Sequence, residues 1–313
     1  MRLALEHFNS LISLVNHFNN DKRCRDFITE QRWGKVVVCP FCGCTHVYEC
    51  GNGDNQFKCA HCHKRFSCLV GTIFENTKLP LQKWFMAMYL ISSHKKGISS
   101  HQLARDIEVT QKTAWFILHK VRTLFNQYDD VALDGEVEMD EMYLGGRETN
   151  KHESKKVEGT QGRSTKTKTP IFGMVEREGE ASALVVKDTK AATLMPIIKQ
   201  FVADNCKVFT DELSSYAGLT KEGYDHGVIH HGEKEFSKDG ITTNSIEGFW
   251  GHFKRMVFGI YHFVSKEYLQ QYVNEAVYRY NTRKADESVR LADMFSKCIG
   301  VCSYESVKSL KAA

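Results

Sequence analysis

Between Cys39 and Cys68 the chain places seven of its eleven cysteines within thirty residues. That density restricts how the segment can fold. So short a stretch cannot bury enough apolar surface to be stable by itself, so it must be cross-linked. Two pairs stand out by spacing, Cys39 and Cys42 in CPFC and Cys59 and Cys62 in CAHC, separated by sixteen residues. Each C-x2-C turn aims both sulfurs at one point. Together the turns supply the four tetrahedral thiolates that Zn2+ takes, in the spacing of a zinc ribbon. A disulfide scaffold would be short and secreted. A chain of 313 residues with its cysteines concentrated in one segment fits metal binding in a reducing cytoplasm instead. Four protein thiolates leave no open position for water, so the zinc is expected to be structural. Metal binding then supplies folding energy. Cys44, Cys50, Cys68, His61 and His63 are spare donors that read as ordinary small or exposed residues.

Around this block the hydrophobic periodicity lays out a multidomain α+β chain. Residues 1–38 form a helical segment: Leu5, Phe8, Leu11, Ile12 and Val15 mark one amphipathic helix, and Asp21 is placed to cap a second through Phe27 and Trp33. The ribbon is assigned to 39–70. Residues 78–130 read as three helices opened by Pro80, by Ser99 or Ser100, and by Thr110. The last two have helix-turn-helix character with a break near Ile107–Val109, and Gln111, Lys112 and Lys120 are candidates to face DNA. From about 135 the period changes to that of a mixed α/β sheet. VEMDEMYLGG is a strand, PIFGMVERE and ASALVVKD form a hairpin, ATLMPIIKQFV is a helix despite Pro196, and CKVFT is a buried strand. GVIHH is a further candidate strand, and helices begin at Asn244 and near Ser265. This domain is assigned to 135–297, with a tail at 298–313.

The loop after Gly146 carries seven Lys and Arg against three Glu up to Thr169. It reads as a solvated segment whose cations, Lys155 and Lys156 among them, could grip phosphates. The totals permit this without requiring it. Net charge is only +4, hydrophobic content of 42% and charged content of 26% are those of a soluble globular protein, and no apolar run approaches bilayer length.

Three acids then align in order. Asp140 lies in a strand, Asp211 directly follows the buried strand CKVFT, and Glu247 sits on a helix among Ile246, Phe249, Trp250 and Phe253. Singly, each is an unremarkable cap or surface acid. A strand acid, a strand-end acid and a helix acid together are the constellation of an RNase H-like fold that holds two divalent ions. Hard oxygen ligands suit Mg2+ or Mn2+, and a metal pair neutralises both the entering and the leaving oxygen of a phosphodiester. Lys254, two turns after Glu247, and its neighbour Arg255 would meet the DNA backbone. Gly251 would let that backbone approach.

CPFCG, FKCAHCHKRFS, GTIFENTKLPLQKWF, EMDEMYLGG, FTDELSSYAGL and TNSIEGFWGHFKR…YHFVSKEYLQQYVNEAVYRYN occur in this order. In these motifs the chain resembles the DDE-type insertion-sequence transposases that carry an N-terminal zinc ribbon, over about residues 20–295. The resemblance implies an RNase H-like catalytic domain, catalysis dependent on Mg2+, cleavage at inverted-repeat ends and strand transfer into target DNA. It implies Asp140, Asp211 and Glu247 as catalytic acids and Lys254 as the expected cation seven residues after the last. Some relatives use asparagine as the third residue, and Asn244 lies one turn before Glu247; the carboxylate binds a hard cation more strongly, and Asn244 reads as a helix cap. His230 and His231 are surface histidines that could position DNA. The expected partner is DNA in the cytoplasm, engaged by a homodimer or larger assembly. Two rival readings remain at this stage: a zinc-ribbon DNA-binding regulator on an inactive transposase scaffold, and an RNase H-like nuclease or resolvase.

Overall fold

A computed structural model of the chain describes Phe8 and residues 10–51, 55–125, 132–146, 152–157, 160, 164–229 and 242–298. These divide into two compact units, one of residues 1–126 with 284–313 and the other of 127–283.

In the first unit, helices α1 (Leu11–His17) and α2 (Asp21–Trp33) precede a three-stranded antiparallel sheet of β1 (Val47–Cys50), β2 (Gln56–Cys59) and β3 (Arg65–Ser67). Asn20, not Asp21, caps α2 by accepting from Arg23 N at 2.9 Å. Asp21 instead accepts from Leu81 N at 2.8 Å, and so supplies the N-terminal acceptor that Pro80 cannot offer to α3 (Leu81–Ser93). Helices α4 (Ser100–Asp106) and α5 (Gln111–Arg122) follow. Ser99 and Thr110 cap them by accepting from Gln102 N and Thr113 N. The turn between them holds Glu108 at φ +51°.

The sequence reading ran the α/β domain to residue 297, whereas the chain leaves it at Arg283. The last helix, α9 (Glu287–Cys298), returns to the first unit. The physical reason is an aromatic cluster. Phe295 meets Phe27 edge-on with centroids 5.1 Å apart and Phe85 at 4.7 Å, and Phe85 meets Phe18 at 4.8 Å. Without Phe295 this apolar surface of the N-terminal helices would stay wet.

The second unit is built on a five-stranded sheet. Its strands are β4 (Glu136–Leu144), β5 (Thr169–Glu176), β6 (Ala181–Val185), β7 (Lys207–Thr210) and β8 (Asp225–Val228), in the order β6-β5-β4-β7-β8. The first three form an antiparallel meander, and β4–β7 and β7–β8 are parallel. Parallel neighbours require crossovers, and α6 (Ala191–Phe201) supplies the one before β7. Helices cover both faces, so β5 and β7 read as largely apolar runs, whereas β4 interleaves acids with its apolar residues. On one face Val137, Met139, Phe172, Met174 and Val208 pack with Leu194 and Ile198 of α6. On the other, Met142, Ile171 and Val175 pack with Ile246, Phe249, Trp250 and Phe253 of α7 (Asn244–Met256) and with Tyr272 and Val273 of α8 (Leu269–Asn281). Strand β8 starts two residues before GVIHH; His230 and His231 lie outside the described residues.

Candidate active site

The parallel register sets the site. Val137 stands beside Val208 and Glu138 beside Phe209. Two residues further along each strand, the same register brings Asp140 level with Asp211. Strand β7 stops at Thr210 while β4 runs on to Leu144, so the flank of β4 is open beyond that point. Asp140, Glu141 and Asp211 converge there, with ligand oxygens all within 4.8 Å of one another. Alternation sends Asp140 and Glu141 to opposite faces, but at an open strand flank both carboxylates can turn toward the same edge.

Each acid is held. Asp211 is 7% exposed, and its Oδ1 accepts from Leu213 N at 2.9 Å. Thr210 donates its hydroxyl proton to Asp211 O at 2.8 Å and also contacts His226 Nε2 at 2.8 Å. With the hydroxyl proton so used, Nε2–H of His226 is the donor of that second contact. Burial holds the His226 pKa below its usual 6.5. Glu141, 9% exposed, accepts from the Tyr216 hydroxyl. Burial, and then the charges of Glu141, Asp140 and Asp211, push the Tyr216 phenol well above its ordinary range, so it stays a donor.

Glu247 is exposed in the first turn of α7, its Oε1 accepts from Thr243 Oγ1 at 3.2 Å, and it is not among the acids that converge. Asn244 is exposed at the start of the same helix, and Thr243, not Asn244, occupies the cap position. The structure therefore unites Asp140 with Asp211, and it adds Glu141, which the motifs did not single out.

Helix α7 is fixed to the sheet by two devices. Glu138, with no solvent exposure, accepts from Ser245 N at 2.7 Å, Ile246 N at 3.1 Å and Ser245 Oγ at 3.2 Å, and pairs with Arg177 Nε at 2.8 Å. A buried carboxylate thus satisfies the open N–H groups of the first helical turn. The second device is Gly173, which pairs with Asp140 across β4 and β5. A Cβ there would lie 2.5 Å from Trp250 Cζ2, so only glycine lets the indole cross the sheet beside the acid. Trp250 and Phe249 are buried, and with them the helix bearing Glu247 and Asn244.

Among the expected DNA-facing residues, Gln111, Lys112, Lys254 and Arg255 are exposed. Lys120 is not: it is 3% exposed, with its ammonium 5.7 Å from the Phe116 ring centroid, so the second helix of the pair does not present it to solvent. Lys156 bonds Glu153 Oε2 at 2.6 Å, and the Lys155 side chain lies outside the described residues.

The cysteine block assembles as the spacing requires. Cys39, Cys42, Cys59 and Cys62 lie with their sulfurs within 4.8 Å of one another, and the pairs Cys39–Cys62 and Cys42–Cys59 are 3.6 Å apart. Zn–S bonds of about 2.3 Å in a tetrahedron put sulfurs about 3.8 Å apart, so the set fits zinc. Amide N–H groups of Cys62 and His61 point at Cys59 Sγ and pull its thiol down to about 6. Phe57 and Phe66 are the small core behind it.

This strand order, with helices on both faces, acids within the central strand β4 and an acid just past the end of its parallel neighbour β7, defines an RNase H-like domain, here joined to a zinc ribbon. Residues 132–281 match the ISXO2-like transposase domain and residues 19–65 match the transposase zinc-ribbon domain. These two segments therefore carry a transposase domain and a transposase zinc ribbon, in that pairing similar to insertion-sequence transposases. An uncharacterized protein in the transposable element ISH50 of Halobacterium salinarum is 26% identical over 245 residues, spanning 74% of this chain and 82% of that protein. An uncharacterized transposase-like protein of Haemophilus influenzae is 29% identical over 114 residues, 36% of this chain and 91% of that one. No solved structure matches the chain.

Proposed function

We propose that this protein binds the inverted-repeat ends of its insertion sequence, cleaves a DNA strand there and joins it to target DNA. The observation that carries the reading is the convergence of Asp140, Glu141 and Asp211 at the open end of β7. Asp140 and Asp211 would hold Mg2+ or Mn2+. A bound ion pair would neutralise charge on the attacking and leaving oxygens of the phosphodiester. Glu247, on the anchored first turn of α7, is the third acid by motif, with Asn244 beside it. Glu141 supports the cluster from the other face, with its orientation set by Tyr216. Lys254 and Arg255, exposed about two turns beyond Glu247, are placed to hold DNA phosphates. Joining two ends calls for two such sites, hence a dimer or larger assembly on DNA.

The test uses the zinc-loaded full chain and a duplex carrying the element's own terminal repeat. Asp140→Ala and Asp211→Ala should each lose Mg2+-dependent strand cleavage while repeat binding in Ca2+ survives. Glu247→Ala should do the same. Glu141→Gln should slow cleavage by about 10–100-fold, the usual cost of disturbing a metal ligand's support. Undiminished cleavage by Asp140→Ala and Asp211→Ala would overturn the assignment. Gel analysis for joined strands separates a transposase from a nuclease, which only hydrolyses.

A further inference from the structure

Past the end of α7 lies a feature that the cluster of acids does not explain. The helix continues as one π-helical stretch, Val257–Tyr261, and then turns sharply. His262 sits at φ +59° and ψ −43°, and Phe263 N bonds Tyr261 O at 2.6 Å. That is a γ-turn of the rare, strained kind at a residue other than glycine. Both devices are unfavourable and concentrate at functional positions. Their effect here is to aim two aromatic rings outward: Phe258 is 57% exposed and Phe263 is 80% exposed.

The base of this element is rigid. Val257 is buried, and Tyr261 stacks edge-on against Tyr272 of α8 with centroids 4.8 Å apart. The Tyr261 hydroxyl donates to Glu275 Oε1 at 2.8 Å, and Glu275 is itself locked to Arg279. Both phenylalanines therefore project from a fixed mount. The stretch of chain that carries them, between the exposed Glu247 and Glu267, is cationic. From Gly248 to Lys266 the chain holds no Asp or Glu, while Lys254, Arg255 and Lys266, with His252 and His262, are exposed.

We propose that Phe258 and Phe263 form a stacking platform for unpaired bases of a DNA strand, with Lys254, Arg255 and Lys266 on its phosphates. The proposal rests on the reading of this chain as DNA-acting and adds the kind of DNA it grips. Exposed rings within a positive field are the means by which proteins hold single strands without reading sequence, because every base offers a π-face. Phe258 lies eleven residues beyond Glu247, about 16 Å along the helix axis, which is within reach of one DNA strand passing Glu247.

The test compares two mixed-sequence probes in Ca2+ with the zinc-loaded chain: a blunt duplex, and the same duplex with a four-nucleotide single-stranded tail carrying 2-aminopurine. The wild type should bind the tailed probe at least about tenfold more tightly, which a single stacked base can supply, and should quench its fluorescence. Phe258→Leu with Phe263→Leu keeps the apolar bulk, removes the rings and leaves the core untouched. This double variant should lose both the preference and the quenching while binding the blunt duplex as before. An unchanged preference in the double variant would overturn the platform. So would a change confined to self-association in sedimentation, since the rings would then cover a second copy of the chain. A wild type that binds neither probe would overturn the DNA reading itself.

Discussion

Glu138 ties α7 to the sheet, and its chemistry makes the consequence measurable. Its carboxylate is fully buried, holds two backbone N–H groups and a hydroxyl of α7, and pairs with Arg177, which is mostly buried. Without it Arg177 would keep Glu136 and the Thr242 carbonyl, but Ser245 N, Ile246 N and the Ser245 hydroxyl would lose their acceptor, together about 3–5 kcal/mol at about 1–3 kcal/mol for each unmet buried group. Glu138→Ala should therefore destabilise residues 127–283 by that much in urea unfolding followed by Trp250 fluorescence. Glu138→Gln, which keeps an acceptor, should cost about 1.5–3 kcal/mol. His226 gives a prediction of opposite character. Its folded-state pKa lies below 6.5, so the unfolded chain binds its proton more readily. The stability it contributes is present above pH 6.5 and is lost as pH falls through the lower folded value. Midpoints of urea unfolding should decline below pH 6.5, and His226→Gln should flatten that decline. At this scale the sequence offered Asp211 through its place directly after a buried strand, and Asp140 only in company with the other acids. It hid Glu141, because strict alternation assigns that residue to the apolar face. Nothing in CKVFTDEL announces that β7 stops at Thr210 and leaves the edge of β4 open.

Among the elements, α7 decides whether the helix acid can serve the strand acids, and its seat is set by one missing methyl. A Cβ on Gly173 would also come within 2.8 Å of Trp250 Cη2 and 3.0 Å of Ile246 Cδ1, both on buried, well-packed side chains. Overpacking of this kind costs about 1–3 kcal/mol and moves backbone. Gly173→Ala should show that loss in thermal or urea unfolding and should lower strand cleavage with it. Trp250→Leu removes the six-membered ring that the new methyl strikes. The double variant Gly173→Ala/Trp250→Leu should then be less destabilised than the sum of the single changes, a coupling that a double-mutant cycle reads directly. The amphipathic pattern of NSIEGFWGHFKR disclosed the helix and its buried face, because 3.6-residue periodicity is local information. The role of Gly173 was not legible, since it depends on a contact between β5 and α7, which are far apart in sequence. The same limit explains α9: its own pattern says that it buries a face, and only Phe27 and Phe85 determine against what.

For the whole molecule, the division into two units follows from where each finds its folding energy. Residues 127–283 bury two apolar layers about one sheet, so their stability needs no metal. The ribbon has only Phe57, Phe66 and a few partly buried neighbours behind its cysteines, and must take the remainder from zinc. That contrast was readable in advance, because cysteine spacing and hydrophobic periodicity are both properties of short stretches of chain. Chelation of zinc should therefore unfold residues 39–68 and spare the sheet. Hydrogen exchange is the measurement. On adding a zinc-selective chelator, amides of β2 and β3 should exchange at least about a hundredfold faster, as local opening there falls from several kcal/mol toward zero. Amides of β4, β5 and β7 should exchange at unchanged rates. Cys42→Ser should reproduce the chelator's effect, since it removes one of the four converging sulfurs. Cys50→Ser should not, because the Cys50 thiol contacts the Tyr48 carbonyl and is no part of that set. Equal loss of protection in both units on chelation would mean that zinc holds the whole chain together, not the ribbon alone.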